Sequence, residues 1–297
     1  MKDMKIVIAD QMEEDVVELI RELGTVNYMP KDLNASLADA DALVVRSATK
    51  VTKELLTHAK KLKVVARAGI GLDNVDAKEC ETRGIKVINT PGASRNAVAE
   101  LAIGMIIGAM RNIQKAHYQM KNGVWDKKHL TGAELGGKTL GVIGYGRIGS
   151  AVGHKAAALG MNIIAYNPPP RHEDGIALFV ESLDELLSKA DVITLHTIMT
   201  EETKHMINRE TIAKMKDGVF LINTARGALI NEEALYEACK SGKVAGAALD
   251  VYESEPYKGK LLELDNVYFT PHIGAGTKEA QMRIGAELVE RLKKELG

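Results

Sequence analysis

The chain contains 297 residues, 45% of them hydrophobic, and carries a formal net charge of -1 at pH 7. This length and composition suit a globular protein with one or two buried cores. A charge so close to zero gives no basic field for a nucleic acid backbone or an anionic membrane. The expected partner is therefore a small-molecule substrate, with neither nucleic acid nor membrane.

The cysteines and the N-terminus bear on the compartment. Cys80 and Cys239 lie far apart and form no CxxC pair, so neither a disulfide framework nor a metal site is indicated. The first apolar run is much shorter than a signal-peptide core, and the longest, at 101–110, is too short to cross a bilayer. We therefore expect a cytoplasmic protein without a bound metal.

Strand-like apolar runs alternate with helical patterns along the chain. The first series contains KIVIA, ALVVR, KVVARAG and IKVIN, and the second runs from KTLGVIG to NVYFTPH. Such alternation predicts parallel sheets covered by helices. The expected fold class is α/β, with two doubly wound parallel-sheet domains, one of Rossmann type and one flavodoxin-like.

Two helical segments define the expected domain organisation. A long, largely apolar helical pattern follows Ser94 and is expected to cross from the first domain to the second. An amphipathic stretch at the C-terminal end is expected to return to the first. We therefore predict a discontinuous substrate domain, 1–93 and 277–297, and a dinucleotide-binding domain, 94–276.

The strongest single motif is TLGVIGYGRIGSAVG. Gly144, Gly146 and Gly149 form G-x-G-x-x-G after a strand and at the start of a helix. In this context the glycines permit a tight turn, close approach of a pyrophosphate and tight helix packing, and the helix N-terminus favours the anion. The motif predicts a bound dinucleotide.

The next strand leaves the choice of dinucleotide open. An acidic residue usually follows this strand and binds the ribose hydroxyls of NAD, but this chain has Asn167 there. An amide can bind a hydroxyl without repelling a 2′-phosphate, and Arg171 and His172 lie close in sequence. We expect NAD, with NADP as the alternative.

Three charged residues follow separate strands of the second series. Arg226 lies in NTARGALIN, Glu255 in DVYESEP and His272 in TPHIGAG. Because the carboxyl ends of parallel strands share one edge, which the glycine turn also reaches, these side chains are expected to converge beside the dinucleotide.

These blocks resemble the D-isomer-specific 2-hydroxyacid dehydrogenase family. The stretches VRSATKVT, ARAGIGLDNVD and NTPGASRNAVAELAIG are most similar to its phosphoglycerate dehydrogenase branch. The resemblance implies catalytic roles for Arg226, Glu255 and His272, and a homodimer. It implies that the remaining cofactor contacts fall on Ile70, Arg147, Ile148, Asn167, Thr197, Thr224, Ala225, Asp250, Gly274 and Ala275. The chain departs from the family pattern at Asn167, Ile198 and Gly276.

The same three residues suit the chemistry of a 2-hydroxy acid. Its oxidation needs a hydride acceptor, a base for the hydroxyl proton and a cation for the carboxylate. His272 suits the base because imidazole can take and return a proton near neutral pH. A carboxylate at Glu255 would favour the imidazolium and fix its tautomer, while Arg226 would grip the substrate carboxylate.

Substrate identity depends on the first domain. Arg46 ends an apolar strand and, with Ser47, could bind a phosphate, while the Gly69 to Gly71 loop could offer amides to the carboxylate. Ser94 and Asn96 are further candidates. The hypothesis is oxidation of 3-phospho-D-glycerate to 3-phosphooxypyruvate, the first step of phosphorylated serine biosynthesis.

Several expectations remain open at this point. A glyoxylate or hydroxypyruvate reductase would use the same catalytic residues, and a dinucleotide-sensing corepressor could share the fold. The apolar helix from Ala97, with Trp125 beyond it, is expected to contribute to the dimer interface. The short segment after the last helical pattern leads us to expect no C-terminal serine-sensing domain.

Overall fold

A computed structural model describes residues 4–168 and 173–296 of the chain. The chain divides into two compact units. The first comprises the residues up to Ala97 and those from Ala275 onwards, and the second comprises Val98–Gly274. Arg171 and His172, considered above for cofactor choice, lie outside the described residues.

The sheet of the first unit is parallel throughout, with strand order β2-β1-β3-β4-β5. All four residues of the central strand β3 are buried, as expected for a parallel sheet covered on both faces. The order reverses between β1 and β3, which is the flavodoxin-like arrangement. The strands are β1 Lys5–Ile8, β2 Thr25–Tyr28, β3 Ala42–Val45, β4 Val64–Arg67 and β5 Lys86–Asn89.

The helices of this unit include one from the C-terminal end of the chain. Its buried residues, among them Ile284 and Leu288, share a core with Val16 and Ile20 of the first helix. Gly285 permits this approach, since a Cβ there would lie 2.8 Å from Val16 methyl carbons. The helices are α1 Glu14–Arg21, α2 Leu33–Leu37, α3 Lys53–Thr57, α4 Ala77–Thr82 and α11 Lys278–Leu296.

The sheet of the second unit is also parallel, with order β12-β11-β10-β9-β6-β7-β8. Counted from β6, the order contains the Rossmann arrangement, with the reversal between β6 and β9. The strands are β6 Thr139–Ile143, β7 Asn162–Tyr166, β8 Leu178–Phe179, β9 Val192–Leu195, β10 Val219–Asn223, β11 Val244–Leu249 and β12 Val267–Phe269. The predicted fold class, two parallel-sheet α/β domains, is confirmed.

The long helical pattern of the sequence forms two helices rather than one. Asn112 adopts a left-handed backbone, with φ of 54°, between the end of α5 and the start of α6. Its side chain accepts a hydrogen bond from the hydroxyl of Tyr268, at 3.3 Å. The helices are α5 Arg95–Met110, α6 Ile113–Lys121, α7 Arg147–Ala158, α8 Leu183–Lys189, α9 Arg209–Ala213 and α10 Glu232–Ser241. Across residues 4–168 and 173–296, no helix combines the length and apolarity needed to cross a membrane.

Candidate active site

The glycine turn between β6 and α7 lies at the strand reversal of the second unit. Gly144 has φ of +92°, and a Cβ there would lie 2.6 Å from the carbonyl carbon of His196 and from the amide nitrogen of Thr197. At Gly149 a Cβ would lie 2.2 Å from the carbonyl oxygen of Gly144. Only glycine therefore lets the turn approach the end of β9 and the helix approach the turn.

The middle glycine leaves open space at the start of α7. No heavy atom of the described residues lies within 4 Å of a Cβ built on Gly146, the N-cap of this helix. The first N–H groups of a helix have no partner within the helix and favour an anion. This open turn fits the pyrophosphate of a dinucleotide, to which the backbone N–H groups of Arg147 and Ile148 would donate.

The intervening tyrosine faces the protein interior. Tyr145 is buried and donates a hydrogen bond from its hydroxyl to Asp174, at 3.0 Å. Burial and this carboxylate raise the pKa of the phenol. A Cβ on Gly153 would lie 2.9 Å from the tyrosine ring, so a glycine in α7 makes room for this side chain.

The other predicted cofactor residues of this unit follow neighbouring strands. Asn167 follows β7, Thr197 follows β9, and Thr224 and Ala225 follow β10. The Asn167 amide donates to the carbonyl of Pro168, at 2.9 Å. The hydroxyl of Thr224 is buried and has no hydrogen-bond partner among the described residues. A buried polar group of this kind is a candidate to bind a ligand.

His196 is a feature of this edge that the sequence did not reveal. Burial lowers the pKa of its imidazole to about 3. Its Nε2 lies 2.8 Å from the hydroxyl of Thr194. The ring is therefore neutral at physiological pH and adds no positive charge beside the glycine turn.

The predicted positions Ile70 and Ala275 belong to the first unit. The carbonyl of Ile70 accepts a hydrogen bond from Asn89, at 2.6 Å, and that of Ala275 accepts one from Gln281, at 2.8 Å. Both backbones are thus fixed within their own unit, and their proposed cofactor contacts stay predictions.

The turn that carries Arg226 is closed by a buried asparagine. Asn223, the last residue of β10, accepts a hydrogen bond from the N–H of Ala225, at 3.0 Å, and donates one to the carbonyl of Arg226, at 2.8 Å. The asparagine amide therefore fixes the backbone of both Ala225 and Arg226. The sequence analysis did not recognise this role of Asn223.

The residue after Arg226 brings two loops into backbone contact. A Cβ on Gly227 would lie 1.8 Å from the carbonyl carbon of Tyr252 and 2.4 Å from the nitrogen of Glu253. No side chain fits there without moving one of the loops. The arginine-bearing turn after β10 and the glutamate-bearing loop after β11 are consequently held together.

Glu255 and His272 form a direct pair. Nδ1 of His272 lies 2.8 Å from Oε2 of Glu255, and Oε1 of Glu255 accepts a hydrogen bond from the N–H of Tyr252, at 3.3 Å. A carboxylate at Nδ1 fixes the proton there and leaves Nε2 for a substrate. The side chains of His272 and Glu255 are 42% and 38% exposed, so a small molecule can reach the imidazole.

Asp250 holds the turn that carries His272 in place. It is 1% exposed, and its carboxylate accepts hydrogen bonds from the Thr270 hydroxyl, at 2.6 Å, and from the N–H groups of Ile273 and Gly274, at 2.8 and 2.9 Å. Burial raises the pKa of Asp250, although these hydrogen bonds act in the opposite direction. The three hydrogen bonds come from residues on both sides of His272, whose backbone is left-handed with φ of 53°. The predicted contact of Asp250 with a nicotinamide stays a prediction.

Five of the predicted substrate residues of the first unit lie on loops after neighbouring strands, and the sixth, Asn96, lies in the first turn of α5. Arg46 and Ser47 follow β3, Gly69 and Gly71 follow β4, and Ser94 follows β5. Ser47 is exposed, whereas Ser94 is almost completely buried.

The Arg46 loop is fixed by two side chains from other segments. The Asp10 carboxylate accepts from the N–H groups of Arg46 and Thr49, at 2.6 and 3.0 Å. The Asn74 amide donates to the carbonyls of the same two residues, at 2.8 and 2.6 Å. The loop is therefore fixed before any ligand binds. The N–H groups of Arg46 and Thr49 already donate to Asp10, so they are not available to a ligand.

Comparison with known proteins identifies the family. Residues 103–274 match the model described as "D-isomer specific 2-hydroxyacid dehydrogenase, NAD binding domain". The chain belongs to this family. It is thus an oxidoreductase with an NAD-binding domain, rather than the corepressor considered above. The resemblance to this family that the sequence indicated is confirmed.

The relatives of this dehydrogenase differ in name and in length. It is 52% identical to a hydroxypyruvate reductase of Thermotoga maritima, over 98% of this chain and 97% of that protein. It is 48% identical to a D-3-phosphoglycerate dehydrogenase of Methanocaldococcus jannaschii, over 99% of this chain but only 57% of that protein. The crystal structure of a D-lactate dehydrogenase from Aquifex aeolicus, complexed with NAD and lactic acid, matches with a TM-score of 0.86 and 34% identity, covering 98% of this chain and 95% of that one.

The close loop contact at Gly227 yields a test. Gly227→Ala should lower turnover of a 2-hydroxy acid at least about tenfold, because the new methyl group must separate the Arg226 and Glu255 loops. The free energy of unfolding should fall by about 1–3 kcal/mol. Steady-state kinetics and denaturant unfolding would measure both.

The matched control is Gly136→Ala. Gly136 is exposed, and no heavy atom of the described residues lies within 4 Å of a Cβ there. If the two variants behaved alike, the loops would not depend on the missing side chain at Gly227.

Proposed function

We propose that this dehydrogenase oxidises 3-phospho-D-glycerate to 3-phosphooxypyruvate with NAD, as the first step of phosphorylated serine biosynthesis. The observation that carries the reaction type is the exposed pair of His272 and Glu255, at 2.8 Å, beside the rigidly joined Arg226 turn. The loop of Arg46 supports the phosphorylated substrate.

Each catalytic residue has one task in the proposed mechanism. NAD, when bound at the glycine turn, supplies the acceptor for the hydride that leaves carbon 2. His272 accepts the hydroxyl proton at Nε2 as the carbonyl forms, so the alcohol loses one hydride and one proton. Glu255 stabilises the resulting imidazolium through Nδ1. Arg226 binds the substrate carboxylate and orients the carbon that reacts.

The role of His272 can be tested by an isosteric change. His272→Gln should lower turnover at least about 10²-fold, because the amide cannot accept a proton at neutral pH. The dissociation constant for NADH, measured by fluorescence titration, should change little. Near-normal turnover would remove His272 from the proton path, whereas lost NADH binding would indicate a disturbed fold instead.

The phosphate hypothesis is supported by the position of Arg46. The strand order of the first unit reverses between β1 and β3, and ligands of doubly wound sheets bind at such reversals. Arg46 follows β3, and its Nη1 donates to the carbonyl of Gln11, which follows β1, at 3.0 Å. A guanidinium held in this way can still offer further N–H groups to a phosphate.

A reductase acting on hydroxypyruvate or glyoxylate is the second candidate. It is favoured by the relative from Thermotoga maritima, which matches along almost the entire length of both chains and carries that name. In this direction His272 would enter as the imidazolium and donate its proton to the forming hydroxyl. The catalytic residues would be the same, and only the residues that bind the remainder of the substrate would differ.

A substrate matrix separates these candidates. Initial rates would be compared for 3-phosphoglycerate, glycerate, hydroxypyruvate and glyoxylate, each with the appropriate form of NAD and NADP. We expect 3-phosphoglycerate to give the highest kcat/KM and Arg46→Gln to raise its KM about 10- to 100-fold, with little effect on glycerate. The NAD to NADP ratio would report on the Asn167 position.

The control removes the same charge from the opposite edge of the same sheet. Lys61 is exposed and precedes β4, so Lys61→Gln should leave KM unchanged. A higher kcat/KM for hydroxypyruvate than for phosphorylated substrates, unaffected by Arg46→Gln, would establish the reductase instead.

A homodimer is also proposed, through an exposed apolar patch on α6 and the segment after it. The patch consists of Ile113, Tyr118, Met120, Val124 and Trp125. Trp125 is 79% and Tyr118 71% exposed, which is unusual for such large side chains outside an interface. A second copy of the chain is the occupant that the family resemblance implies.

Trp125→Glu should convert the dimer into a monomer, because the new charges would be buried against each other. Light scattering after size-exclusion chromatography would measure the mass. Leu262→Glu is the control, since Leu262 is 55% exposed and lies outside the patch. A wild-type monomer, or a Trp125→Glu dimer, would refute this interface.

A further inference from the structure

A second imidazole–carboxylate pair lies beside the catalytic one. Nε2 of His205 lies 2.7 Å from Oε1 of Glu253, a distance close to the 2.8 Å between Nδ1 of His272 and Glu255. Glu253 and Glu255 are separated by one residue on the loop after β11. This short loop therefore carries two glutamates, each paired with a histidine from a different segment.

His205 is itself fixed to the segment that follows Arg226. Its N–H donates to the carbonyl of Ala228, at 2.8 Å, and the N–H of Ile207 donates to the carbonyl of Leu229, at 3.0 Å. Asn231 returns a hydrogen bond to the carbonyl of Ile207, at 2.8 Å. These bonds make the segment around His205 an extension of the Arg226 turn.

The backbone of His205 is unusual in the same way as that of His272. Both have left-handed φ angles, 50° and 53°, and among the described residues the other non-glycine positions with positive φ are Met29 and Asn112. Such backbones are unfavourable for side chains with a Cβ and persist where the surroundings demand them. Glycine would fit this backbone more easily, so a histidine at 205 indicates that the imidazole is needed.

The imidazole of His205 has an electrostatic role on this loop. Oε1 of Glu232 accepts a hydrogen bond from the N–H of Glu253, at 2.9 Å, which brings two carboxylates close together. Burial raises the pKa of Glu232, and the charge of Glu253 adds to this effect. An N–H of the His205 ring donates to Glu253, at 2.7 Å, and so helps to keep the glutamate loop against its neighbours.

We propose that His205 and Glu253 are positioning residues for the dehydrogenase reaction. Their pair joins the Arg226 segment to the Glu255 loop, and so sets the distance between the guanidinium and the catalytic imidazole. This inference rests on the proposed catalytic roles of Arg226, Glu255 and His272. Neither His205 nor Glu253 takes part in proton transfer to the substrate.

The test uses two replacements at His205. His205→Gly retains a relaxed left-handed backbone but lacks the imidazole, and we expect kcat to fall about 10- to 100-fold. His205→Gln keeps an N–H donor for Glu253 and should recover most of that loss. The kinetic isotope effect with substrate deuterated at carbon 2 should rise in His205→Gly, because hydride transfer becomes rate-limiting. If His205→Gly had wild-type kcat, or if His205→Gln were no better than His205→Gly, the proposal would be overturned.

A double-mutant cycle tests whether the pair acts as a unit. In a Glu253→Gln background, His205→Gly should lower kcat little further, since the interaction is already lost. Losses that multiply would show two independent effects and contradict the proposal. His129→Ala provides the control, because His129 forms a similar pair with Asp126, at 2.8 Å, within its own short segment. Its kcat should equal that of the wild type.

A spectroscopic measurement separates this inference from the proposed function. The ring nitrogens of His272, observed by ¹⁵N NMR and assigned with His272→Gln, report the hydrogen bond to Glu255 without any substrate. We expect His205→Gly to shift these signals and His129→Ala to leave them in place. Unshifted signals would refute the positioning role, whereas shifted signals in a protein that oxidises no 2-hydroxy acid would refute the proposed function alone.

Discussion

The parallel pairing of β9, β10, β11 and β12 is the constraint on which the candidate active site depends. Asn223 pairs with Leu195 on one side and with Leu249 on the other, and Leu249 pairs with Phe269. These partners are the last residues of their strands, so all four strands end in one row. Arg226, Asp250 and His272 come one to three residues later and therefore emerge at the same edge.

Hydrogen bonds from buried polar side chains convert this row of strand ends into defined loops. Asn223 closes the arginine turn, and Asp250 binds the backbone on the far side of His272. Each group is almost completely buried, so a lost partner would leave an unsatisfied polar atom in the interior. The hydrogen bonds that hold these loops in place are therefore made mainly by residues other than the proposed catalytic ones.

Two histidines with strained backbones flank the glutamate loop, and the strain suits the proposed function. In the proposed mechanism His272 offers Nε2 to a substrate, while the imidazole of His205 binds Glu253 on the same loop. A site built in this way keeps the guanidinium and the imidazole at a fixed separation while the proton and the hydride leave the substrate. The same edge leaves open space at Gly146, where the N-terminus of α7 fits the anion of a dinucleotide.

The amino-acid sequence by itself determined the fold class and the types of residue proposed for catalysis. Alternating apolar runs predicted both parallel sheets, because strands buried on two faces must be apolar along their length. The strands β2 and β8 were missed, since both are short edge strands whose residues are exposed or only partly buried. The break at Asn112 was also missed, because a polar residue within an apolar helical pattern does not by itself predict a left-handed backbone.

Only the tertiary structure decided how the loops are supported. The partner of His205 is 48 residues away in sequence, and Gly227 contacts a loop that follows a different strand. No local pattern encodes such pairs, because they depend on the lateral order of the strands and on their register. The sequence could indicate which side chains to propose for the chemistry, since each follows a recognisable strand. The residues that hold those side chains in place become visible only when the strand ends are brought to one edge.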